Sequence, residues 1–232
     1  MQKVIVITGT SKGIGKFLAK EYLNLGYIVV GCSRTEIEFS HKNYRHFILE
    51  VSDEKAVVKM IRAVKKEFTR IDVLLNNAGI ASMNHFLTTS LSSVEKVFST
   101  NFTGTFIFSR EVSKVMMKQK KGRIINYTTV ASPLNLEGEA VYAASKAAVE
   151  SFTKTISKEL ASFNITVNAI GPTPIETDLI KAVPKEKIKE LLNKQTIKRL
   201  GEFKDIKNVI DFYIDEKSDY ITGQIIYLGG VN

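Results

Sequence analysis

Seven short apolar segments punctuate the 232-residue chain, and most of the stretches between them repeat their apolar residues at helical spacing. The segments are Lys3–Thr8, Tyr27–Cys32, Phe47–Val51, Ile71–Leu75, Arg123–Thr128, Thr166–Ile170 and Gln224–Leu228. Short runs rich in Val, Ile and Leu suit strands buried on both faces. After the first, Ile14, Phe17, Leu18, Tyr22 and Leu25 share one side of a helix that Gly26 stops. Asp53 can cap a second helix, with Val57, Met60, Ile61, Val64 and Phe68 facing inward. Longer helices are expected over Ser93–Lys118 and Val141–Ser162, and a last one over Asp205–Glu216. Strands alternating with helices pair in parallel through right-handed crossovers. The expected fold is therefore α/β: one domain over residues 1–232, with a doubly wound, seven-stranded parallel sheet and helices on both faces. The region 171–200 interrupts the alternation and reads as a substrate loop or lid.

The first strand runs straight into Thr8-Gly9-Thr10-Ser11-Lys12-Gly13-Ile14-Gly15. Glycines at this place let the backbone turn tightly and approach a pyrophosphate. The helix beyond them offers free N–H groups and the positive end of its dipole. The stretch lacks the Gly-Lys-Ser/Thr of a triphosphate-binding loop. Gly9, Ser11, Lys12, Gly13, Ile14 and Gly15 are thus candidate contacts to a dinucleotide. An acid at the end of the second strand would grip adenosine ribose hydroxyls, but the chain has Ser33-Arg34 there. An Arg pairs a 2′-phosphate and a Ser hydrogen-bonds it, with Lys12 as a second positive charge. NADP(H) is the expected cofactor; the alternative is an exposed loop cation and an enzyme that accepts either dinucleotide.

Tyr142 and Lys146 stand four apart near the start of a helix, on one face. A neighbouring cation favours the phenolate and lowers a phenol's pKa, so this Tyr can exchange a proton with a carbonyl or alcohol oxygen. The spacing alone says little, because Lys is common on helices.

Taken together, Thr8-Gly9-x3-Gly13-x-Gly15, Asn76-Asn77-Ala78-Gly79, Asn101, Tyr142-x3-Lys146 and Asn168-Ala169-Ile170-Gly171-Pro172 resemble the short-chain dehydrogenase/reductase family along essentially the whole chain. The resemblance implies a Rossmann fold and a set of roles. Tyr142 would donate the proton in reduction. Lys146 would lower its pKa and hold the nicotinamide ribose, and Asn101 would anchor a water relay behind it. Asn77, Ala78 and Gly79 would line the cofactor. Glu50 and Val51 would lie at the adenine, with Glu in place of the more usual Asp. Pro172, Ile175 and Thr177 would flank the nicotinamide. The fourth catalytic position, usually Ser, falls on Thr129, with Thr128 as the neighbouring candidate. Thr173 stands where the family usually has Gly.

The stretch from Ile175 to Gly230 is similar to 3-oxoacyl-acyl carrier protein reductases, through Arg199-Leu200-Gly201, Tyr220-Ile221-Thr222-Gly223-Gln224 and Gly229-Gly230. That resemblance implies NADPH-dependent reduction of a 3-oxoacyl thioester. Other small ketones or alcohols, or a specialised biosynthetic ketone, are the alternative substrates, and a non-catalytic cofactor-binding regulator is a third reading. Phe163 departs from the basic residue that carrier-using relatives often have. Relatives also assemble as dimers or tetramers, through the helices around 95–118 and 141–162 and the C-terminal strand.

The net charge is +9, with Lys118, Lys120, Lys121 and Arg123 crowded at one junction. These are either solvated surface lysines or a docking face for an acidic partner such as an acyl carrier protein. Without aromatic–basic interleaving or zinc-ligand spacing, nothing points to nucleic acid or to a metal. No apolar run approaches the roughly 18 residues of a membrane span. The lone Cys32 in an apolar run reads as a packing residue. A cytoplasmic location is expected.

Overall fold

The structure is a computed structural model that describes residues 2–176 and 185–231. These form a parallel seven-stranded sheet in the order β3-β2-β1-β4-β5-β6-β7. The strands are β1 Val4–Thr8, β2 Ile28–Ser33, β3 Tyr44–Ile48, β4 Val73–Asn76, β5 Gly122–Tyr127, β6 Ile165–Gly171 and β7 Ile225–Tyr227. Side chains alternate across each strand, so β1 sends Val4 and Val6 to one face and Ile5 and Ile7 to the other. On the first face, helices α2 (Glu54–Phe68) and α4 (Gly104–Gln119) cover the sheet with Val57, Met60, Val64, Phe108, Val112 and Met116. On the second, α1 (Gly13–Asn24) contributes Leu18, Ala19, Tyr22 and Leu23.

Several boundaries move from their expected places for identifiable reasons. The third strand begins at Tyr44, three residues before the expected Phe47. It is an edge strand paired only with β2, so Arg45 and His46 are tolerated, while Leu49 and Val51 are buried beyond the ladder. Leu25 follows α1 as its C-cap and is 59% exposed; Leu23 fills the inner face instead. The expected helix from Ser93 is two helices, α3 (Leu91–Phe98) and α4, joined by a π-helical turn over Ser99–Thr103. Asp53 caps α2 by accepting from the Ala56 N–H at 3.1 Å. Short α5 (Ala131–Leu134) precedes α6 (Ala140–Leu160), and α7 spans Lys185–Lys194. The last helix, α8, spans Phe203–Ile214 and places Ile206, Ile210 and Tyr213 on the second face; Glu216 falls in a following 3-10 turn. Of the phenylalanines on α4 and α6, Phe108 is in the core, whereas Phe102 and Phe106 gather around Phe152, with ring centroids 5.8 and 5.9 Å from it.

The basic junction is partly paired with acids, while Lys118 and Lys120 are exposed. Arg123 is 5% exposed and paired with Asp219, and Lys121 lies 3.2 Å from Glu216. Arg123 also sits at the amino end of β5, opposite the end where β1, β2, β4, β5 and β6 all finish. Cys32 is buried in the core. Among the described residues no helix is long and apolar enough to cross a membrane.

Candidate active site

Parallel strands bring all their carboxyl ends to one edge, and the loops leaving them enclose a cleft of about 990 Å³. The turn after β1 forms its floor. Gly9 and Gly13 have φ of +76° and +57°, a region that costs residues with a Cβ. Gly15 does not line the cleft as expected. It packs against the Gly9 carbonyl and the Asn77 amide, where any side chain would collide, so its smallness lets the turn close on α1. The turn hangs from β2 through the Gly9 and Thr10 N–H groups, which both donate to the Cys32 carbonyl. Helix α1 starts at Gly13 behind Lys12, with no side chain capping its first turn. Its leading N–H groups are available to an anion in the cleft.

The Asn76-Asn77-Ala78-Gly79 segment is pinned against this turn. Asn77 Nδ2 donates to the Thr8 carbonyl at 2.8 Å, and the Ala78 N–H donates to Thr8 Oγ1 at 2.9 Å. Ser33, Arg34, Glu50 and Val51 line the far end of the cleft. Glu50 bends back to accept from the Val51 N–H at 3.0 Å, and its other oxygen lies 4.0 Å from Arg34 Nε.

At the opposite end, Tyr142 and Lys146 rise from α6 beside Thr129, which follows β5. The Thr129 hydroxyl is close enough to the Tyr142 phenol to pull its pKa down. Thr128 Oγ1 instead donates to Glu150. Lys146 Nζ donates to the Tyr127 carbonyl at 2.8 Å. Burial pushes the Tyr142 phenol up to about 12, against a smaller downward pull from Thr129 and a further upward push from Glu139. Burial likewise pushes the Lys146 ammonium down to about 8. The expected downward pull of Lys146 is not among the causes of the Tyr142 shift in the protein by itself, where burial dominates.

Asn101 lies one layer behind the cleft rather than on its wall. The π turn breaks the helix at this point and aims the side chain inward; such turns recur at functional sites. Its Oδ1 accepts from the Ile80 N–H at 2.9 Å, and its Nδ2 donates to the Ile80 carbonyl and to Ser145 Oγ, each at 3.0 Å. It thereby ties the loop after β4 to the helix that carries Tyr142.

Pro172 and Ile175 line the cleft, whereas Thr177 lies outside the described residues. Thr173 occupies its unusual position with an ordinary backbone, because Gly201 and Gly229 leave room for its side chain; a Cβ on either would come within 2.7 and 2.8 Å of it. The described parts of 171–200 do border the cleft: α7 supplies Ile188 and Leu191, and Met83 and Leu136 join them. None of these four was marked in the sequence, because isolated apolar residues in loops and on a Lys-rich helix carry no motif.

A family model described as short chain dehydrogenase matches residues 3–188. The chain belongs to the short-chain dehydrogenase family. Among curated relatives, the 3-oxoacyl-[acyl-carrier-protein] reductase FabG of Vibrio cholerae is 34% identical, over 98% of this chain and 96% of its own length. The FabG of Staphylococcus epidermidis is 35% identical over 99% and 98%. Among solved structures, ElxO with NADP bound superposes with a TM-score of 0.90 at 30% identity, covering 98% of this chain and 97% of its own. Thermoplasma acidophilum aldohexose dehydrogenase superposes with a TM-score of 0.89 at 25% identity, over 99% and 94%.

Asn101→Ala is expected to cost about 1–3 kcal/mol of stability, the range for a buried group left without its partner. Urea unfolding measures this, and an unchanged midpoint would show that Asn101 does not bear the load assigned to it.

Proposed function

We propose that this short-chain dehydrogenase reduces a ketone to a secondary alcohol with NADPH, most specifically a 3-oxoacyl thioester. The observation that carries the reading is the single cleft that joins the glycine turn and Ser33-Arg34 at one end to Tyr142 and Thr129 at the other. Its volume lies at the upper end of the range for cofactor sites, with room for a dinucleotide and a small substrate. A dinucleotide fits the donors present. The turn and the first N–H groups of α1 suit a pyrophosphate, Arg34 and Ser33 suit a 2′-phosphate, and Lys146 with the Asn77–Gly79 backbone suits the nicotinamide ribose. When bound, the cofactor supplies the hydride.

The chain's own residues handle the proton. With its phenol held up near 12, Tyr142 carries a proton throughout the physiological range and can hydrogen-bond a ketone oxygen. Thr129, already against the phenol, can donate to the same oxygen. As negative charge develops there, the phenol transfers its proton, and the Lys146 ammonium stabilises the phenolate left behind. Asn101 keeps the loop and the helix in register while this happens.

The apolar wall of Met83, Leu136, Ile188 and Leu191 beside Tyr142 suits an acyl chain, and the FabG relatives are named for such substrates. Phe163 packs against the core, which takes it out of consideration as a carrier contact. A carrier protein delivering the thioester would meet Lys194 and Lys187 on the cleft side of the sheet, Lys187 being shared with Glu190 at 3.1 Å, rather than the junction around Arg123 at the other end. The cluster of exposed Phe106 with the partly buried Phe102 and Phe152 is the face we assign to a homo-oligomer contact.

Four outcomes test this. Arg34→Ala is expected to raise KM for NADPH about tenfold or more, as for loss of a charge-assisted bond, and to leave KM for NADH nearly unchanged. A wild type that prefers NADH would overturn the cofactor assignment. Tyr142→Phe is expected to lower kcat by about 10²–10⁴-fold. Because Lys146 loses its charge above about 8, wild-type kcat/KM for NADPH should fall as pH rises through that value, and Lys146→Arg should remove the fall. A flat profile to pH 10 would remove the role of the ammonium. Finally, Lys187→Glu/Lys194→Glu should impair turnover of an acetoacetyl carrier protein but not of a small acetoacetyl thioester. Equal effects on both would defeat the carrier reading, and no turnover of either thioester alongside brisk reduction of other ketones would defeat the substrate class.

A further inference from the structure

A chain of hydrogen bonds runs beneath the adenosine end of the cleft, through two residues, Tyr44 and His46, that no motif marks. Thr10 Oγ1 lies 2.9 Å from the Tyr44 hydroxyl, which lies 3.0 Å from His46 Nδ1. His46 Nε2 lies 3.1 Å from Ser33 Oγ and 3.0 Å from the Thr35 carbonyl oxygen. Ser33 Oγ itself donates to the same Thr35 oxygen at 2.6 Å. The chain thus begins in the glycine turn, crosses β2, runs along edge strand β3 and returns to the tip of β2. It crosses β2 at Gly31, where any side chain would collide with both the Tyr44 hydroxyl and Thr10 Oγ1.

The partners set the direction of the protons. The Thr35 carbonyl can only accept, so the nitrogen 3.0 Å away must carry a proton: His46 is protonated at Nε2. In the neutral ring Nδ1 is then an acceptor, so the Tyr44 hydroxyl donates to it and in turn accepts from Thr10. The consequence falls on Ser33. Its proton now points at the Thr35 oxygen, which already has a second donor in His46. If Ser33 turns its O–H to an anion in the cleft, Thr35 is not left unsatisfied. Without His46, the bend from Ser33 to Thr35 would lose the side chain that contacts both the Ser33 hydroxyl and the Thr35 carbonyl.

We propose that Tyr44 and His46 are positioning residues for selection of the phosphorylated cofactor, holding the Ser33–Thr35 bend in place and freeing the Ser33 hydroxyl for the 2′-phosphate. This rests on the NADP(H) reading above. It also explains why an edge strand carries a His and a Tyr on one face, their rings 6.0 Å apart, with Phe39 packed on the Tyr ring at 4.8 Å.

The test is fluorescence titration of the full chain with NADPH and with NADH, for the wild type and for His46→Ala, His46→Gln and Tyr44→Phe. Loss of one hydrogen bond corresponds to about a five- to tenfold rise in Kd for NADPH in His46→Ala, with NADH shifted less than about twofold. His46→Gln, whose amide N–H can still reach Thr35, should recover most of the loss. Tyr44→Phe should fall between His46→Ala and the wild type. If His46→Ala weakens both cofactors equally, or weakens neither, the proposal is overturned while the NADP(H) reading stands. If the wild type itself binds NADH more tightly, the reading falls and takes the proposal with it. Should His46→Ala melt too low to titrate, the near-isosteric Tyr44→Phe decides: an unchanged NADPH-to-NADH ratio overturns the proposal.

Discussion

Burial of the parallel sheet on both faces is the constraint from which the rest of this structure follows. A parallel strand cannot turn back on itself, so each connection must cross over and supply a helix. Helices α2 and α4 cover one face and α1 and α8 the other, and alternation within β1 serves both cores at once. With every strand pointing the same way, all the carboxyl ends open on one edge. The cleft is the space that the loops leave there. Its chemistry comes from residues at or just past the ends of the strands: Gly9, Ser33, Asn77, Thr129 and Pro172.

Within that cleft, desolvation acts on the two ionisable groups in opposite senses. It raises the Tyr142 phenol and lowers the Lys146 ammonium, because both lose water in their charged forms. In the reaction proposed above, the substrate oxygen takes the phenol's proton, and the phenolate that results is then a partner for the ammonium. The hydrogen bonds from Lys146 to Tyr127 and from Asn101 to Ile80 and Ser145 hold the frame meanwhile.

The adenosine end is organised differently. There the charged groups are exposed and loosely paired, as the 4.0 Å separation of Arg34 and Glu50 shows. Order comes from beneath, through the buried Thr10, Tyr44 and the partly buried His46 and Ser33. Affinity at the surface and geometry underneath are thus supplied by different residues.

The sequence by itself determined the fold class, the glycine turn and the Tyr142–Lys146 pair, because each is written in local periodicity or short spacing. It also singled out Thr129 by its distance from Tyr142. What only the tertiary structure decided are the relations between segments far apart in the chain. That the basic junction holds a buried Arg123 paired with Asp219, at the end of the sheet opposite the cleft, is one such relation. Gly15 looked like a cofactor contact and proved to be a packing contact, because Asn77 arrives from a different strand. Asn101, expected behind Lys146 from resemblance alone, is placed by the π turn as a tie between Ile80 and Ser145. Tyr44 and His46 had no motif at all. Their meaning comes from the pairing of β3 with β2, and pairing is a long-range contact that no local pattern encodes.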